Sequence, residues 1–281
     1  MSTRDAIIAA ALAKPPPAPA DCVLRSLDLG TPTPLALRVP AQNHIPTMHI
    51  RMAYERAGNG HANRQEYNDA LQAEYSRLQD SQPWYWDQLW PGGIALARHL
   101  LSNDELVRGR TVLEFGAGIG LLACATARSG ASLVAAVDIE PTALEFIRQS
   151  AADNGLPAGS VHAIQWDWDE PPPPAVVEAA GPTGRFDVVL LPDVMYDDAA
   201  VERLGVLAPS LLAQDGILMW GDGTDRTYGE EHSARMTELL AQAGLSIRST
   251  HDLRDGASAD DGGAAPDRPV RLVIAARAQE S

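Results

Sequence analysis

Cysteine is nearly absent from this chain: Cys22 and Cys124 are the only two in 281 residues. Two thiols are too few for a disulfide framework, which argues for a reducing, cytoplasmic compartment. Cys124 lies in an apolar helical run and is expected to be a buried thiol. Basic side chains are also scarce, 22 Lys and Arg against 37 Asp and Glu, for a formal net charge of −15. Nucleic-acid binding needs concentrated positive charge to replace counterions, so no nucleic-acid partner is expected. The acidity keeps the chain soluble and suits a cationic partner, such as a lysine-bearing protein. Lysine itself occurs once, at Lys14, and nothing functional follows from that. No apolar run approaches the roughly 18 residues of a membrane span, so no membrane partner is expected. Ala6–Ala13 is apolar but short, is closed by Lys14 and three prolines, and reads as a poor signal peptide. His-Glu-x-x-His, Cys-x-x-Cys and Gly-x-Ser-x-Gly are all missing, so metal and acyl-transfer chemistry fall away and no metal ligands are expected.

What is present is ample for a core: 45% of the residues are hydrophobic. Length and texture suggest one α/β domain, residues 83–281, preceded by an N-terminal extension over 1–82 that would act as a lid or substrate-binding segment. Within the extension, Tyr67, Leu71, Tyr75 and Leu78 share one face of a helix spanning Arg64–Leu78. In the main domain, apolar strands at Thr111–Phe115, Ser132–Val137, Val161–Gln165, Phe186–Leu191 and Gly216–Trp220 alternate with helices. Those helices fall at Gly120–Ser129, Pro141–Asn154, Ala199–Gln214 and Glu230–Ala243. Pro141 suits a first helical turn, while Gly130, Gly155 and Gly244 suit helix stops. Leu245–Thr250 and Val270–Ala276 follow without a helix between them and read as a closing antiparallel pair, joined by a mobile loop over Asp255–Arg268. Residues 171–184 read as a surface insertion. The expected fold is a Rossmann-like, doubly wound α/β sheet of seven strands, mostly parallel with a C-terminal antiparallel hairpin. A monomer or weak dimer is the expected assembly.

The most informative stretch is Val112-Leu-Glu114-Phe-Gly116-Ala117-Gly118-Ile-Gly120, an apolar strand closing on an acid, then three alternate glycines, then a helix. Such a turn brings bare backbone close to a ligand at a helix N-terminus. A second strand ends in Asp138, 18 residues beyond Gly120, placed to hold ribose hydroxyls. A dinucleotide site favours Gly-x-Gly-x-x-Gly, and an acid at the position of Glu114 is a poor neighbour for phosphates but a good one for a cation. S-adenosylmethionine fits, having adenosine, no phosphate, a sulfonium and an ammonium. A nicotinamide or flavin cofactor, and a glycine turn with no ligand, are the alternatives.

Ligands of open parallel sheets lie beyond the carboxyl ends of the strands. There Glu114, Gly116, Ala117, Gly118 and Gly120 would face the methionine moiety, and Asp138 the ribose. Ile139 would pack on adenine, with Asp167 accepting from the adenine amino group beside Trp168. Asp193-Val-Met-Tyr196 ends the fourth strand and faces the reacting methyl group. A carboxylate and an aromatic face three residues apart can hold an amine, making Asp193 and Tyr196 the candidate catalytic and substrate-binding pair, with a helix cap and a core aromatic as the alternatives. Upstream, Trp84, Trp86 and Trp90 fall within seven residues. Trp84 and Trp86 are candidate substrate walls with a role in the core as the alternative. Trp90, before Pro-Gly-Gly, is a candidate cofactor-side or substrate-side wall.

These residues resemble a known family. Residues 83–250 are similar to the seven-strand S-adenosylmethionine-dependent methyltransferases, and among them the protein lysine methyltransferases of family 16. Asp193-Val-Met-Tyr196 matches the acid-x-x-aromatic motif of that family, and Leu89-Trp-Pro-Gly-Gly, Val112-Leu-Glu-Phe-Gly-Ala-Gly and Val137-Asp-Ile-Glu-Pro continue the match. The resemblance implies methyl transfer to a protein lysine, with S-adenosylhomocysteine as product. A small molecule or peptide natural product is the alternative acceptor. Residues 1–82 follow no pattern of the family, and Trp220-Gly-Asp-Gly-Thr224 only partly matches its Gly-Asp-Pro-Gly.

Overall fold

The computed structural model describes residues 22–40, 85–224, 229–254 and 268–277. The chain divides into two compact units, one taking Arg25–Leu37 with Leu89–Ser281 and the other Met1–Leu24 with Arg38–Gln88. Trp84, the helix over 64–78 and nearly all of the loop over 255–268 lie outside the described residues.

Two short strands, β1 (Cys22–Leu27) and β2 (Leu35–Pro40), form a separate sheet. Leu35, Leu37 and Val39 alternate with Ala36 and Arg38, the two-residue period of a half-buried strand. Seven further strands make the main sheet. They are β3 (Thr111–Phe115), β4 (Leu133–Asp138), β5 (Val161–Gln165), β6 (Phe186–Pro192), β7 (Leu212–Gly223), β8 (Leu245–Arg254) and β9 (Pro269–Arg277). Their order is β5-β4-β3-β6-β7-β9-β8. Strands β3 to β7 pair in parallel, while β9 runs antiparallel to both of its neighbours, β7 and β8. The doubly wound sheet with its closing hairpin is therefore as expected from the sequence.

Among the described residues, six helices flank the sheet: α1 (Pro91–Ser102), α2 (Leu121–Arg128), α3 (Pro141–Asp153), α4 (Pro174–Ala179), α5 (Asp198–Leu211) and α6 (Gly229–Gln242). Helix α2 packs on α1 and α3, and α5 packs on α6. The main core joins Leu113 and Phe115 of β3 to Val176 of α4, Leu204 of α5 and Met236 of α6. Side chains alternate along a strand, so Val112 and Glu114 point to the opposite face, toward α2. The chain order reverses between β3 and β6, which opens a crevice at the carboxyl ends of these two strands.

Two elements differ from the sequence expectation. The supposed insertion contains α4, whose Pro174 supplies the fixed φ of a first helical turn. Helix α5 ends at Leu211, two residues past Pro209, and strand β7 begins at once with Leu212, extended and paired to Phe186.

The turn between β1 and β2 is tied to the amino-terminal rim of the sheet. Arg128, the last residue of α2, donates from Nη1 to the carbonyls of Thr33 (2.9 Å) and Pro34 (3.1 Å). Asn154, just past α3, accepts the Ala36 N–H at Oδ1 (3.0 Å) and donates from Nδ2 to the Ala36 carbonyl (2.5 Å). Both α2 and α3 begin at the glycine-loop rim, so their far ends mark the opposite rim. Residues 28–36 thus attach away from the crevice. Replacing Asn154 with alanine strands these groups and is expected to lower the melting temperature by roughly 3–8 °C. Ligand affinity at the crevice should not change, which calorimetry on the same variant checks.

Candidate active site

The crevice is built from strand ends. Glu114 is the penultimate residue of β3, Asp138 ends β4, Asp167 lies two residues past β5, and Asp193 follows β6. Sequence reasoning singled out all four. It passed over a fifth acid on the same rim, buried Asp222 near the end of β7, because its Gly-Asp-Gly setting matched the expected motif only in part.

Between β3 and α2 the glycine loop is left-handed at each glycine, with φ of 62° at Gly116, 52° at Gly118 and 87° at Gly120. Ala117 is buried and donates its N–H to the Val137 carbonyl (2.9 Å), stitching the loop to β4. A Cβ on Gly116 would come within 2.7 Å of Val194 Cγ1, so that glycine is required on both counts. Gly120 caps α2 and packs against Ile147 of α3.

Asp138 sits under this loop with both oxygens engaged. Its Oδ2 accepts the Gly118 N–H (2.8 Å) and its Oδ1 the Glu140 N–H (2.9 Å). Burial raises its pKa, and these backbone donors pull the other way. The carboxylate expected to hold ribose hydroxyls therefore also shapes the loop. Glu114 contrasts with it. This side chain is 1% exposed and its Oε2 has no hydrogen-bond partner among the described residues. Burial, and next the charge of Asp138, hold its pKa well above the usual carboxylate range. Neither acid has a cationic partner among the described residues.

Ile139 is 53% exposed at the rim, a large apolar side chain open to a ligand. Asp167 is half-buried, and its Oδ1 accepts the Asp169 N–H (3.0 Å) in a local turn. Trp168 is half-buried, with ring centres 6.2 Å from Phe115 and 6.3 Å from Tyr196. Trp166, Phe115, Trp168 and Tyr196 thereby form a row of aromatic contacts running from the core to a Tyr196 that is 43% exposed.

Asp193 caps a helix, the alternative role left open for it by the sequence. Its φ is +52°, the one positive value outside glycine among the described residues. Its Oδ2 accepts the N–H groups of Gly92 (2.5 Å) and Gly93 (3.2 Å), which open α1, and its own N–H donates to the Gly221 carbonyl (2.9 Å). A carboxylate there complements the positive end of the helix. Trp90, half-buried, precedes α1 directly and accepts the Ile94 N–H at its carbonyl (3.1 Å). Buried His232 of α6 supports the loop after β6, with Nδ1 3.0 Å from the Met195 carbonyl and Nε2 3.1 Å from Asp198 Oδ1. No motif in the sequence marks this histidine. Trp86 is buried on a short 3-10 turn, Tyr85–Asp87, in the other compact unit. Cys124 of α2 is fully buried, with its thiol pushed up to about 12 by burial and by Glu114. Among the described residues, no group of three or more His, Cys, Asp or Glu could hold a metal, and no helix is long and apolar enough to cross a membrane.

Comparison with known proteins gives this geometry a setting. The family model described as lysine methyltransferase matches residues 77–229. The electron transfer flavoprotein beta subunit lysine methyltransferase of Danio rerio is 34% identical over 172 residues, 60% of this chain and 54% of that protein. Its counterpart in Homo sapiens is 36% identical over 43% of this chain and 41% of that protein. The protein N-terminal and lysine N-methyltransferase efm7 of Aspergillus fumigatus is 31% identical over 43% of this chain and 48% of that protein. The chain thus spans about half of the length of the curated relatives it matches. Among solved structures, magnesium protoporphyrin IX methyltransferase from Synechocystis PCC 6803 is similar at 18% identity, over 84% of this chain and 96% of that one, with a TM-score of 0.48. Because the family model takes in more than half of its residues, the chain belongs to the lysine methyltransferase family.

Proposed function

We propose that this protein transfers a methyl group from S-adenosylmethionine to the side-chain amine of a lysine in a protein substrate. The observation that carries the reading is the buried, partly unpartnered carboxyl of Glu114 beneath a left-handed glycine loop. A phosphate-bearing ligand would meet two carboxyl groups there, Glu114 and Asp138, and no cation among the described residues to bind it. A ligand with an ammonium and a sulfonium would satisfy them. A Cβ at Gly116 would collide with Val194, so the glycine holds the loop tight against the end of β6. The residues present therefore fit the cofactor. Exposed Ile139 suits the adenine face, and the half-buried Trp168 and Trp90 supply aromatic walls.

When bound, S-adenosylmethionine supplies a methyl carbon on a cationic sulfur, and transfer to an amine leaves S-adenosylhomocysteine. The chain contributes position and exclusion of water. Tyr196 and Trp168 present aromatic surface to the acceptor at the end of β6, where a cationic amine is attracted before it is deprotonated. An amine near pKa ~10.4 in water must shed its proton before it attacks. Apolar walls favour that loss and a bare carboxylate opposes it. The two backbone N–H groups on Asp193 Oδ2 soften that opposition, so Asp193 can orient the amine without locking its proton in place. Relatives named for lysine methylation support a protein lysine as acceptor, and the low cysteine count supports a cytoplasmic setting.

The test is transfer of label from methyl-labelled S-adenosylmethionine to electron transfer flavoprotein beta subunit, other lysine-bearing proteins and small amines, followed by peptide mapping. Label on lysine in a protein band supports the reading. Label only in small amines overturns the protein acceptor while leaving methyl transfer intact.

A further inference from the structure

We propose that Glu114 carries a proton in the ligand-free protein and releases it when a ligand's ammonium group arrives, so that cofactor binding is coupled to proton loss. The proposal rests on the cofactor reading above, and it concerns the ionisation of the site, which that reading leaves open.

The argument is an asymmetry between two neighbouring acids. Asp138 spreads its charge over the Gly118 and Glu140 N–H groups, both within 2.9 Å. Glu114, 1% exposed, has an oxygen that meets no donor. A buried anion without donors is far costlier than a buried neutral acid. Where two acids share a site and only one proton is held, the proton goes to the one whose charge is less well solvated.

Every neighbour points the same way. On β4, the register partner of Glu114 is Ala136, and the strand ends in the Asp138 carboxylate. On β6 the partner is apolar Leu190, with Asp193 beyond the strand end. Helix α2 offers Cys124, whose thiol is pushed up to about 12 and is neutral at physiological pH. The opening turn of α1, Pro91-Gly92-Gly93-Ile94, has no titratable side chain. No cation among these groups stabilises a Glu114 anion, and burial and Asp138 both raise its pKa. An ammonium supplied by a ligand is the missing counter-charge. On its arrival the O–H bond of Glu114 breaks, the proton leaves to solvent, and the carboxylate pairs with the ammonium.

Two measurements test this, one without ligand. A carboxyl whose folded pKa exceeds its unfolded value, ~4.3, contributes stability that is complete below the unfolded value. That stability is lost as pH rises through the folded value. The folding constant of the native protein should therefore fall relative to Glu114→Gln by up to about tenfold per pH unit above pH ~4.3, until the folded value is passed. A difference between the two proteins that does not change with pH overturns the proposal. The second measurement is calorimetric titration of S-adenosylmethionine at pH 6.5, in two buffers of different ionisation enthalpy. At that pH an ordinary α-amino group, near ~8, is almost fully protonated. The native protein should release close to one proton per ligand. Glu114→Gln, the uncharged isostere, should still bind, roughly tenfold more weakly, and release close to none. Equal proton release from both proteins assigns the proton elsewhere and overturns the proposal. Absence of binding heat in both sinks the cofactor reading instead, and the ligand-free melting series then decides the state of Glu114 alone.

Discussion

Replacing Asp193 with alanine is expected to lower fold stability and methyl transfer together. The carboxylate holds two backbone N–H groups of α1, and its own N–H holds the end of β7. Losing two charge-assisted hydrogen bonds costs about 3 kcal/mol, or a melting temperature lower by roughly 6–12 °C. Helix α1 carries Trp90 at its start, so the wall of the crevice shifts with it. A displacement near 1 Å at a reacting centre costs on the order of a hundredfold in rate. Asp193→Asn should behave differently. Asparagine tolerates positive φ and keeps an oxygen acceptor, so most of the stability returns while the charge is gone. Melting curves and kcat against KM for both variants separate the two tasks. An Asp193→Ala protein that melts at the native temperature would show that the side chain serves the acceptor alone. Gly92→Ala approaches the same junction from the other side, since its Cβ would fall 2.1 Å from the Gly221 carbonyl oxygen and 2.5 Å from Asp193 Oδ2. The backbone atom cannot step aside, and the variant should lose at least as much stability as Asp193→Ala.

Gly116→Ala should cripple ligand binding while leaving the sheet folded. The added carbon meets Val194 Cγ1 at 2.7 Å and must adopt a φ of 62°, which costs a non-glycine residue roughly 1–2 kcal/mol. Val194 lies two residues before Tyr196, so the clash propagates into the loop after β6 as well as the glycine loop. S-adenosylmethionine affinity is expected to fall more than tenfold. Combining Gly116→Ala with Val194→Ala relieves the clash but not the backbone strain, so binding should return in part. The coupling between the two changes should lie between about 0.5 and 3 kcal/mol. Strict additivity in titrations of the single and double variants would contradict the geometry.

The parts of the site legible in the sequence are those built from adjacent residues. Val112 to Gly120 carries strand, acid, turn and helix start in nine consecutive positions, and β4 ends on its acid in the same local way. The parallel sheet was legible for a similar reason, because continuous apolar strands separated by helices allow few other arrangements. The junction of Gly92, Asp193 and Gly221 was not. Its central contact joins Gly92 and Asp193, 101 positions apart, and a Pro-Gly-Gly before a helix looks the same whether or not a carboxylate caps it. His232 was hidden likewise, since its role depends on α6 packing beside the loop after β6. The β1–β2 sheet left a real trace in the alternation of Leu35, Leu37 and Val39. That trace is three residues long, in a proline-flanked stretch, where periodicity alone is weak.

Calorimetric titration of S-adenosylmethionine, set beside NAD under the same conditions, tests the central claim most directly. The account predicts affinity on the order of micromolar for S-adenosylmethionine. It also predicts loss of that binding in Asp138→Ala, whose carboxylate shapes the loop, and no heat with NAD. Binding of NAD with S-adenosylmethionine silent would contradict it, because a phosphate ligand would then tolerate Glu114 and Asp138 at the loop.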